Sequence, residues 1–300
     1  MSKTTKWIIG LAVAFFVIFG FFTLTIFAWI FSEPEEETVS SGSGKIALVE
    51  LNEPIVSSMD IVRQLKKYRE NRSVKAIVFR VESPGGGVAA SQEIYEEVKK
   101  VRDSGKPIVV SMGAVAASGG YYASCGATKI VANPGTLTGS IGVIFQFLHF
   151  SELMKKLGID ESTFKSGKLK DSGSPFRKVT PEEEKYFQGL IADVYDQFVS
   201  VVAKERKLDI NYVKKFADGR VFTGRQAKQY GFVDTLGTLE DAIALSGQLA
   251  GIHGKPQVIK EYHRTTLVDR ILGDTMTEVA KLRDEITHQP LIQYRLTTPY

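Results

Sequence analysis

The sequence predicts an α/β protein with a largely parallel sheet, carried behind one apolar N-terminal segment. Short β-branched runs alternate with helical patterns from residue 45 onward, which is typical of parallel strands joined by helices. With 43% hydrophobic and 24% charged residues among 300, the chain has the composition of an ordinary globular protein. Its net charge of +4 is small, and no run of Lys and Arg interleaved with aromatic residues indicates a nucleic-acid surface.

The N-terminal segment, residues 7–31, contains no charged side chain. Its length exceeds the roughly 20 residues that a helix needs to cross the hydrocarbon layer of a membrane. Trp7 and Trp29 stand near its ends, where amphipathic rings favour the headgroup level. We therefore expect a transmembrane anchor in contact with membrane lipid. A cleaved secretory signal is the alternative, but the run is longer than the usual apolar core of about 7 to 15 residues and no small-x-small site closes it.

The charges beside this segment predict its orientation. Two lysines precede it, and positive charge marks the cytoplasmic side. We expect residues 1–6 in the cytoplasm and the remainder on the extracytoplasmic side of the cell membrane. Residues 32–44, acidic and then rich in Ser and Gly, are typical of a flexible linker. A folded domain is predicted over 45–254, followed by a partly ordered tail over 255–300.

The predicted sheet contains four buried strands. Their β-branched runs lie at residues 45–51, 75–81, 106–112 and 129–134. Residues 91–105 predict a helix between the second and third strands, because Ile94, Val98 and Val101 recur on one face and Gly105 closes it.

A longer helix is predicted to begin at Thr180. The sequence TPEE supplies an N-cap, a proline at the first helical position and Glu183 at the capping-box position. Apolar residues then recur at helical spacing and are expected in the core or at contacts between subunits.

The segment GAVAASGGYYAS, residues 113–124, places small residues around Ser118. If Ser118 is a nucleophile at the start of a short helix, its small neighbours leave room for an extended peptide backbone. The same pattern is typical of a close packing contact between backbones, and both interpretations remain open.

Two further segments attract attention for their glycines and lysines. SPGGGV, residues 83–88, follows a predicted strand and opens a helix. Its glycines would allow a sharp turn that exposes backbone N–H groups to an oxyanion. A tight turn without a ligand has the same pattern. The loop FKSGKLKDSGSPF, residues 164–176, is basic, which on its own indicates only a solvated loop.

A nucleophilic serine requires a general base. The chain has four histidines: His149 lies in an apolar setting, while His253, His263 and His288 lie in or beside the tail, so no Ser-His-Asp order is compelling. Lysine replaces histidine in some serine hydrolases, provided that its amine is buried and neutral.

These segments, taken in order, carry a resemblance. SPGGGV, GAVAASGGYYAS, TLTGSIGV (136–143), SGKLKDSGSPF and GRVFTGRQAKQYGFVD (219–234), behind an N-terminal anchor, resemble the bacterial signal peptide peptidases of the SppA type over about residues 45–250. The resemblance implies a ClpP/crotonase-like fold of ββα units and a Ser-Lys protease that degrades signal peptides left in the membrane after preprotein cleavage.

The resemblance also implies roles for particular residues. Ser118 matches the nucleophile and Lys170 the general base, with Lys168 as the neighbouring alternative. The backbone N–H groups of Gly86 and Gly119 match the oxyanion donors. Ser140 matches a serine that positions the lysine amine.

The single copy of these motifs is similar to the short members of the family, which form dome-shaped homo-oligomeric rings and pair serine and lysine from neighbouring protomers. The expected substrates are cleaved signal peptides and other apolar segments. No metal or cofactor is implied, since the sequence has one cysteine and no HExxH, Cys/His cluster or Walker motif. Two other classes stay open: a non-catalytic membrane scaffold that holds peptides, and a crotonase-like acyl-CoA enzyme.

Overall fold

A computed structural model describes residues 7, 15, 18–22, 37–38, 44–261 and 292–295. Most of the predicted anchor (7–31), of the linker (32–44) and of the tail (255–300) therefore lies outside the described residues. Within the described ranges, no helix combines the length and the apolar character that crossing a membrane requires.

The main sheet has nine strands among the described residues, in the order β1-β11-β2-β3-β5-β6-β10, with β7 and β9 continuing from β5. The strands of this sheet are β1 Glu37–Thr38, β2 Lys45–Leu51, β3 Val74–Ser83, β5 Ile108–Ala117, β6 Lys129–Ala132, β7 Leu137–Gly139, β9 Val221–Thr223, β10 Thr235–Leu236 and β11 Gln257–Lys260. The pairs from β11 through β2, β3, β5 and β6 to β10 are parallel. The predicted parallel α/β sheet is thus confirmed.

A second sheet has three strands, in the order β4-β12-β8. These are β4 Gly85–Gly87, β8 Ile144–Phe145 and β12 Ile292–Arg295, and both pairings are antiparallel. Since β12 lies in the predicted tail, this sheet joins distant parts of the chain.

The helices cover both faces of the main sheet. They are α1 Met59–Glu70, α2 Val88–Asp103, α3 Gly119–Ser124, α4 Ser151–Lys156, α5 Pro181–Arg206, α6 Ile210–Lys214, α7 Gly224–Gln229 and α8 Leu239–Leu249. One core cluster contains the apolar faces of α1, α2, α3 and α5, and a smaller one packs α8 against the opposite face. Burial on both faces explains why the central strands read as continuous apolar runs.

The structure confirms the two helices that the sequence predicts. In α2, Ile94, Val98 and Val101 are fully buried. In α5, Thr180 and Glu183 form the reciprocal capping box, with proline at the first helical position. The buried residues of α5 lie at Glu183 and in its second half, whereas apolar side chains of its first half are exposed or half-buried.

The two central strands, β3 and β5, place the glycine-rich segment and Ser118 next to each other. Strand β3 runs into the glycines of β4, and β5, its parallel neighbour, runs directly into Ser118. Because parallel strands end at the same edge of a sheet, the glycine-rich segment and Ser118 meet there.

Candidate active site

Ser118 lies at the turn between β5 and α3. Its φ of 52° and ψ of −115° are uncommon for a residue other than glycine. The Ser118 N–H donates to the Gly139 carbonyl at 2.8 Å, and the Ser118 carbonyl accepts from the Tyr122 N–H at 2.8 Å. Such backbone strain, held by the surrounding structure, is characteristic of functional sites and costs about 1–3 kcal/mol.

The small residues beside Ser118 allow close packing. A Cβ on Gly119 would lie 2.4 Å from the Ser91 hydroxyl oxygen, and one on Gly120 would lie 2.9 Å from the Ser83 carbonyl oxygen. Contacts under about 3 Å are not tolerated between such atoms. The packing interpretation of this segment therefore holds for both glycines, and it brings α3 against β3 and β4.

The glycine-rich segment is the short strand β4 and not only a turn. The Gly85 carbonyl accepts from the Ile55 N–H at 2.8 Å, and the Gly87 N–H donates to the Ile55 carbonyl at 2.7 Å. Successive residues of a strand point their backbone groups to opposite sides, so the N–H and C=O of Gly86 face β12.

The glycines predicted to supply the oxyanion donors lie beside a carbonyl group of β12. A Cβ on Gly85 would lie 2.1 Å from the Tyr294 carbonyl oxygen and 2.6 Å from the Gly119 nitrogen. The register also pairs Tyr294 with Gly86. The structure thus brings Ser118, Gly86 and Gly119 together beside one carbonyl group of an extended segment.

Ser140 adjoins the same turn. In the β5–β7 pairing, Ala117 is opposite Gly139, which places Ser118 and Ser140 at adjacent positions of neighbouring strands. Ser140 also has a positive φ, 49°, and its N–H donates to the Arg220 carbonyl at 2.9 Å. Both serines are buried.

Lys170 lies in an exposed turn of the loop before α5. Its N–H donates to the Gly167 carbonyl at 3.1 Å. Over the ranges that the structure describes, no hydrogen bond joins Lys170 to Ser118. A single copy of the chain therefore does not pair the predicted nucleophile with the predicted base.

The other lysines of this loop have carboxylate partners. Lys165 pairs with Asp171 at 2.5 Å, and Lys168 pairs with Glu182. Among the residues described, Lys170 has no such partner. Lys168 is therefore already engaged by a carboxylate, whereas the Lys170 amine is available for contact with another group.

Arg177 anchors the loop that carries Lys170. Its guanidinium lies 3.0 Å from an Asp171 carboxylate oxygen and donates to Glu183 at 2.8 Å. The hydrogen bonds from Arg177 and then Lys165 lower the pKa of Asp171 to about 2. Arg177 and the Thr180 N–H also lower the pKa of the Glu183 carboxyl below its usual range. The two carboxylates are therefore charged at neutral pH.

The remaining candidate groups lie elsewhere. His149 and His253 are exposed, and His263 and His288 lie outside the described residues. Cys125 is buried, and burial raises the pKa of its thiol to about 12. The part of the chain that the structure describes contains no group of three His, Cys, Asp or Glu residues suited to a metal ion.

An aromatic slot beside Ser118 is the feature that the sequence did not predict. The fully buried ring of Tyr294 stacks on Tyr122 at 5.2 Å between centroids and packs against Phe198 at 4.6 Å. The Tyr294 hydroxyl donates to the Val194 carbonyl at 3.0 Å. The tyrosines after Ser118 were a signal for one wall of this slot, whereas nothing in the sequence marks Val194 or Tyr294.

Comparison with known families gives two matches. Residues 100–253 match the profile of peptidase family S49, and residues 44–136 match that of the Clp proteases. The second match supports the predicted ClpP-like fold. A ClpP1 mutant from Listeria monocytogenes aligns over 65% of this chain and 93% of its own, with 18% identity and a TM-score of 0.45.

Individual relatives are more similar in sequence. A protein described as a signal peptide peptidase of the SppA type, from Enterococcus faecium, is 42% identical over 71% of this chain and 66% of its own length. A protease from Synechocystis is 45% identical over 69% of this chain and 75% of its own. One from Methanocaldococcus jannaschii is 43% identical over 66% and 63%, respectively. The match thus spans between 63% and 75% of these relatives.

Proposed function

The chain belongs to peptidase family S49, and on this premise we propose that it is a serine endopeptidase with Ser118 as nucleophile and Lys170 as general base. The observation that carries the proposal is the strained turn at Ser118, which lies beside an extended backbone with its Tyr294 carbonyl group next to Gly86 and Gly119. Proteases bind their substrates in this extended form, through backbone hydrogen bonds to a strand.

The mechanism is amide hydrolysis in two stages. The neutral amine of Lys170 takes the proton of Ser118 while the serine oxygen attacks the substrate carbonyl carbon. The N–H groups of Gly86 and Gly119 stabilise the oxyanion of the tetrahedral intermediate. The leaving amine receives the proton, and water activated by the same lysine then hydrolyses the acyl-enzyme. Ser140, adjacent to Ser118, is the residue that positions the lysine amine.

The separation of Lys170 from Ser118 supports a dyad formed between protomers. Lys170 is exposed in a loop that Arg177 joins to the first turn of α5. Contact with a second copy would bury this loop, and burial disfavours the charged form of an amine. We therefore propose that the active enzyme is a homo-oligomeric ring.

The exposed apolar residues near this loop support the same assembly. Residues 148–169, called the apolar segment below, expose seven large apolar side chains. The surface of a monomeric soluble protein rarely concentrates so many in one place. They are Leu148, Phe150, Leu153, Leu157, Ile159, Phe164 and Leu169. Helix α4 in this segment has no buried residue, as expected of an element that packs on another protomer.

The substrates that we propose are signal peptides left in the membrane after preprotein cleavage, together with other apolar segments. The apolar residues 7–31 would hold the protein in the cell membrane as a single-pass anchor. With the N-terminus in the cytoplasm, the catalytic domain is extracytoplasmic, where neither a nucleotide nor acyl-CoA is supplied. The chemistry proposed here uses no metal or cofactor.

The test is hydrolysis of a quenched fluorescent peptide that contains leucine, phenylalanine and tyrosine by the full-length protein in detergent. We expect Ser118→Ala and Lys170→Ala each to lower turnover by about 10⁴-fold or more, as for other catalytic units of this kind. Lys168→Ala is the matched control and should retain turnover. All variants are compared at equal oligomeric state by size-exclusion chromatography with light scattering.

Each contrary result would contradict a different part of the proposal. Full turnover by Ser118→Ala would show that another group is the nucleophile. No turnover by the assembled wild-type protein would instead favour the non-catalytic, peptide-holding scaffold. Loss of activity in Lys168→Ala but not in Lys170→Ala would transfer the role of base to Lys168.

A further inference from the structure

Strand β5 has a bulge shortly before it reaches Ser118. The register between β3 and β5 shifts after Val81, so that residues 113–115, called the bulge below, lie opposite the single residue Glu82. On its other side, β5 pairs with β6 up to Met112 and then changes to β7. A bulge bends its strand, and such features are common beside active sites. The bulge therefore sets the direction in which β5 enters the turn at Ser118.

The side chain of Glu82 binds the backbone of the bulge. The Ala114 N–H donates to both carboxylate oxygens of Glu82, at 2.9 and 3.0 Å, and the Val115 N–H donates to one of them at 3.2 Å. A bulge interrupts the regular hydrogen bonds between strands, so its backbone donors need another acceptor. Glu82 supplies that acceptor as a carboxylate, which forms stronger hydrogen bonds than a neutral oxygen does.

The surroundings of Glu82 hold its carboxylate in this position. Gly113 leaves the necessary space, since a Cβ there would lie 1.5 Å from a Glu82 carboxylate oxygen. The Arg80 guanidinium lies 3.5 Å from the same carboxylate and donates to the Ser111 hydroxyl at 3.0 Å. The Gly113 carbonyl accepts from the Thr136 hydroxyl at 2.7 Å. Side chains therefore bind both the donors and an acceptor of the bulge.

Glu82 lies between the two segments that form the candidate site. It directly precedes SPGGGV, whose Ser83 hydroxyl accepts from the Gly85 N–H at 3.2 Å. The bulge that it binds directly precedes the segment of Ser118. One side chain thus connects the segment of the oxyanion glycines with the segment of the nucleophile.

We propose that Glu82 is a positioning residue of the peptidase: its carboxylate fixes the bulge and thereby holds Ser118 in line with the substrate carbonyl group. This inference rests on the proposed peptidase function and adds a residue to the same site. Among the described residues, Glu82 bonds only to Arg80 and to the bulge. It acts through the backbone of β5, so its loss should lower kcat and leave KM essentially unchanged.

Peptide kinetics of the full-length protein in detergent test this role. Glu82→Ala removes the acceptor of both N–H groups, and kcat should fall by about 100-fold, the usual cost of misplacing a reacting group by about 1 Å. Glu82→Gln keeps one oxygen acceptor and should restore kcat to within about fivefold of wild type. Glu50→Ala is the matched control and should keep wild-type kinetics. It removes a glutamate from the neighbouring strand β2, where Glu50 pairs with Lys260.

A second substitution tests the geometry of the contact. Gly113→Ala places a methyl group where the Glu82 carboxylate lies, so kcat should fall as it does in Glu82→Ala. The φ of Gly113 is not positive, and its backbone is therefore compatible with alanine. In the Glu82→Ala background the space is free, and Gly113→Ala should cause little further loss. If the two positions acted independently, their losses would multiply to about 10⁴-fold.

The outcomes separate this inference from the proposed function. Light scattering and thermal unfolding verify the assembly and the fold of each variant. If wild-type turnover depends on Ser118 but Glu82→Ala keeps its kcat, raises only KM, or multiplies its loss with that of Gly113→Ala, the inference is wrong and the peptidase stands. If Glu82→Ala does not fold, wild-type kcat in folded Gly113→Ala overturns the inference instead. If wild-type protein hydrolyses no peptide, both proposals fail.

Discussion

Ser118 and Gly85 show how single positions define the candidate site. Ser118 holds φ 52° because Gly139 and Tyr122 bind its backbone on either side. Gly85, at φ +98°, lies where any side chain would enter the space occupied by the Tyr294 carbonyl oxygen. Position 118 therefore needs an unusual backbone conformation. Position 85 needs both a positive φ and the absence of a side chain.

Gly85→Ala should reduce kcat for peptide hydrolysis by about 100-fold, comparable to the loss of one oxyanion donor, because the added methyl group would crowd the proposed oxyanion site. It would lie 2.1 Å from the Tyr294 carbonyl oxygen and 2.6 Å from the Gly119 nitrogen. Peptide kinetics together with thermal unfolding measure the effect. Gly135→Ala is the control, since a Cβ there meets no atom within 4 Å. Unchanged kcat in a folded Gly85→Ala protein would contradict the placement of the oxyanion hole.

The sequence predicts those secondary-structure elements that neighbouring residues determine, and it misses those that depend on distant parts of the chain. The β-branched runs predicted the central strands, and TPEE predicted the start of α5, because burial and capping are set by neighbouring residues. Strand β12 has only four residues, IQYR, and its pairing partners lie far away in the chain. Its position depends on the groove between β4 and β8, so local patterns could not reveal it.

Glycine and serine motifs predicted three members of the site but not their contacts. Ser118, Gly86 and Gly119 come together as the motif order implied. The aromatic slot depends on contact between Tyr122 of α3 and Phe198 of α5, a tertiary contact that no spacing in the sequence encodes. Lys170 could be placed only in its loop, because its proposed contact belongs to another copy of the chain.

The loop that carries Lys170 should loosen in acid. Asp171 has a pKa lowered to about 2 by Arg177 and Lys165, against about 3.9 in an unfolded chain. The ion pairs therefore stabilise the loop fully above pH about 4 and are lost as the pH falls through about 2. Pepsin cleavage within residues 165–177, followed by mass spectrometry between pH 4 and 2, should rise accordingly.

Two variants make this pH dependence specific. Asp171→Asn should show fast cleavage of the loop at pH 4 and little further change at pH 2. Asp218→Asn removes a different carboxylate, whose pKa is also lowered to about 2 by its hydrogen bond with Arg220, and should leave the loop as in wild type. Equal cleavage of the loop in wild type and Asp171→Asn at pH 4 would show that Asp171 does not anchor it. Far-UV circular dichroism verifies that the domain stays folded.

At the scale of the whole molecule, the main sheet is well packed, whereas the flank formed by residues 148–169 exposes apolar side chains. The central strands are almost fully buried, whereas the apolar segment exposes large side chains beside the loop of Lys170. On the proposed assignment, the nucleophile lies in the packed region and the base on the exposed flank, so one protomer would hold an incomplete site. Assembly would bury the apolar segment and complete the dyad in a single step, so oligomerisation and activity should be lost together.

Leu153→Lys combined with Leu157→Lys should therefore convert the assembly to monomers and lower turnover by at least about 100-fold, because burying two unpaired ammonium groups opposes association. Both leucines are more than half exposed in the single chain, so the fold of the protomer should be unaffected. Leu249→Lys, at a 42% exposed leucine of α8, is the matched control. Light scattering and peptide turnover are measured on the same samples in detergent. A monomeric double variant with full turnover would show that Ser118 finds its base within one chain, and an intact ring would place the interface elsewhere.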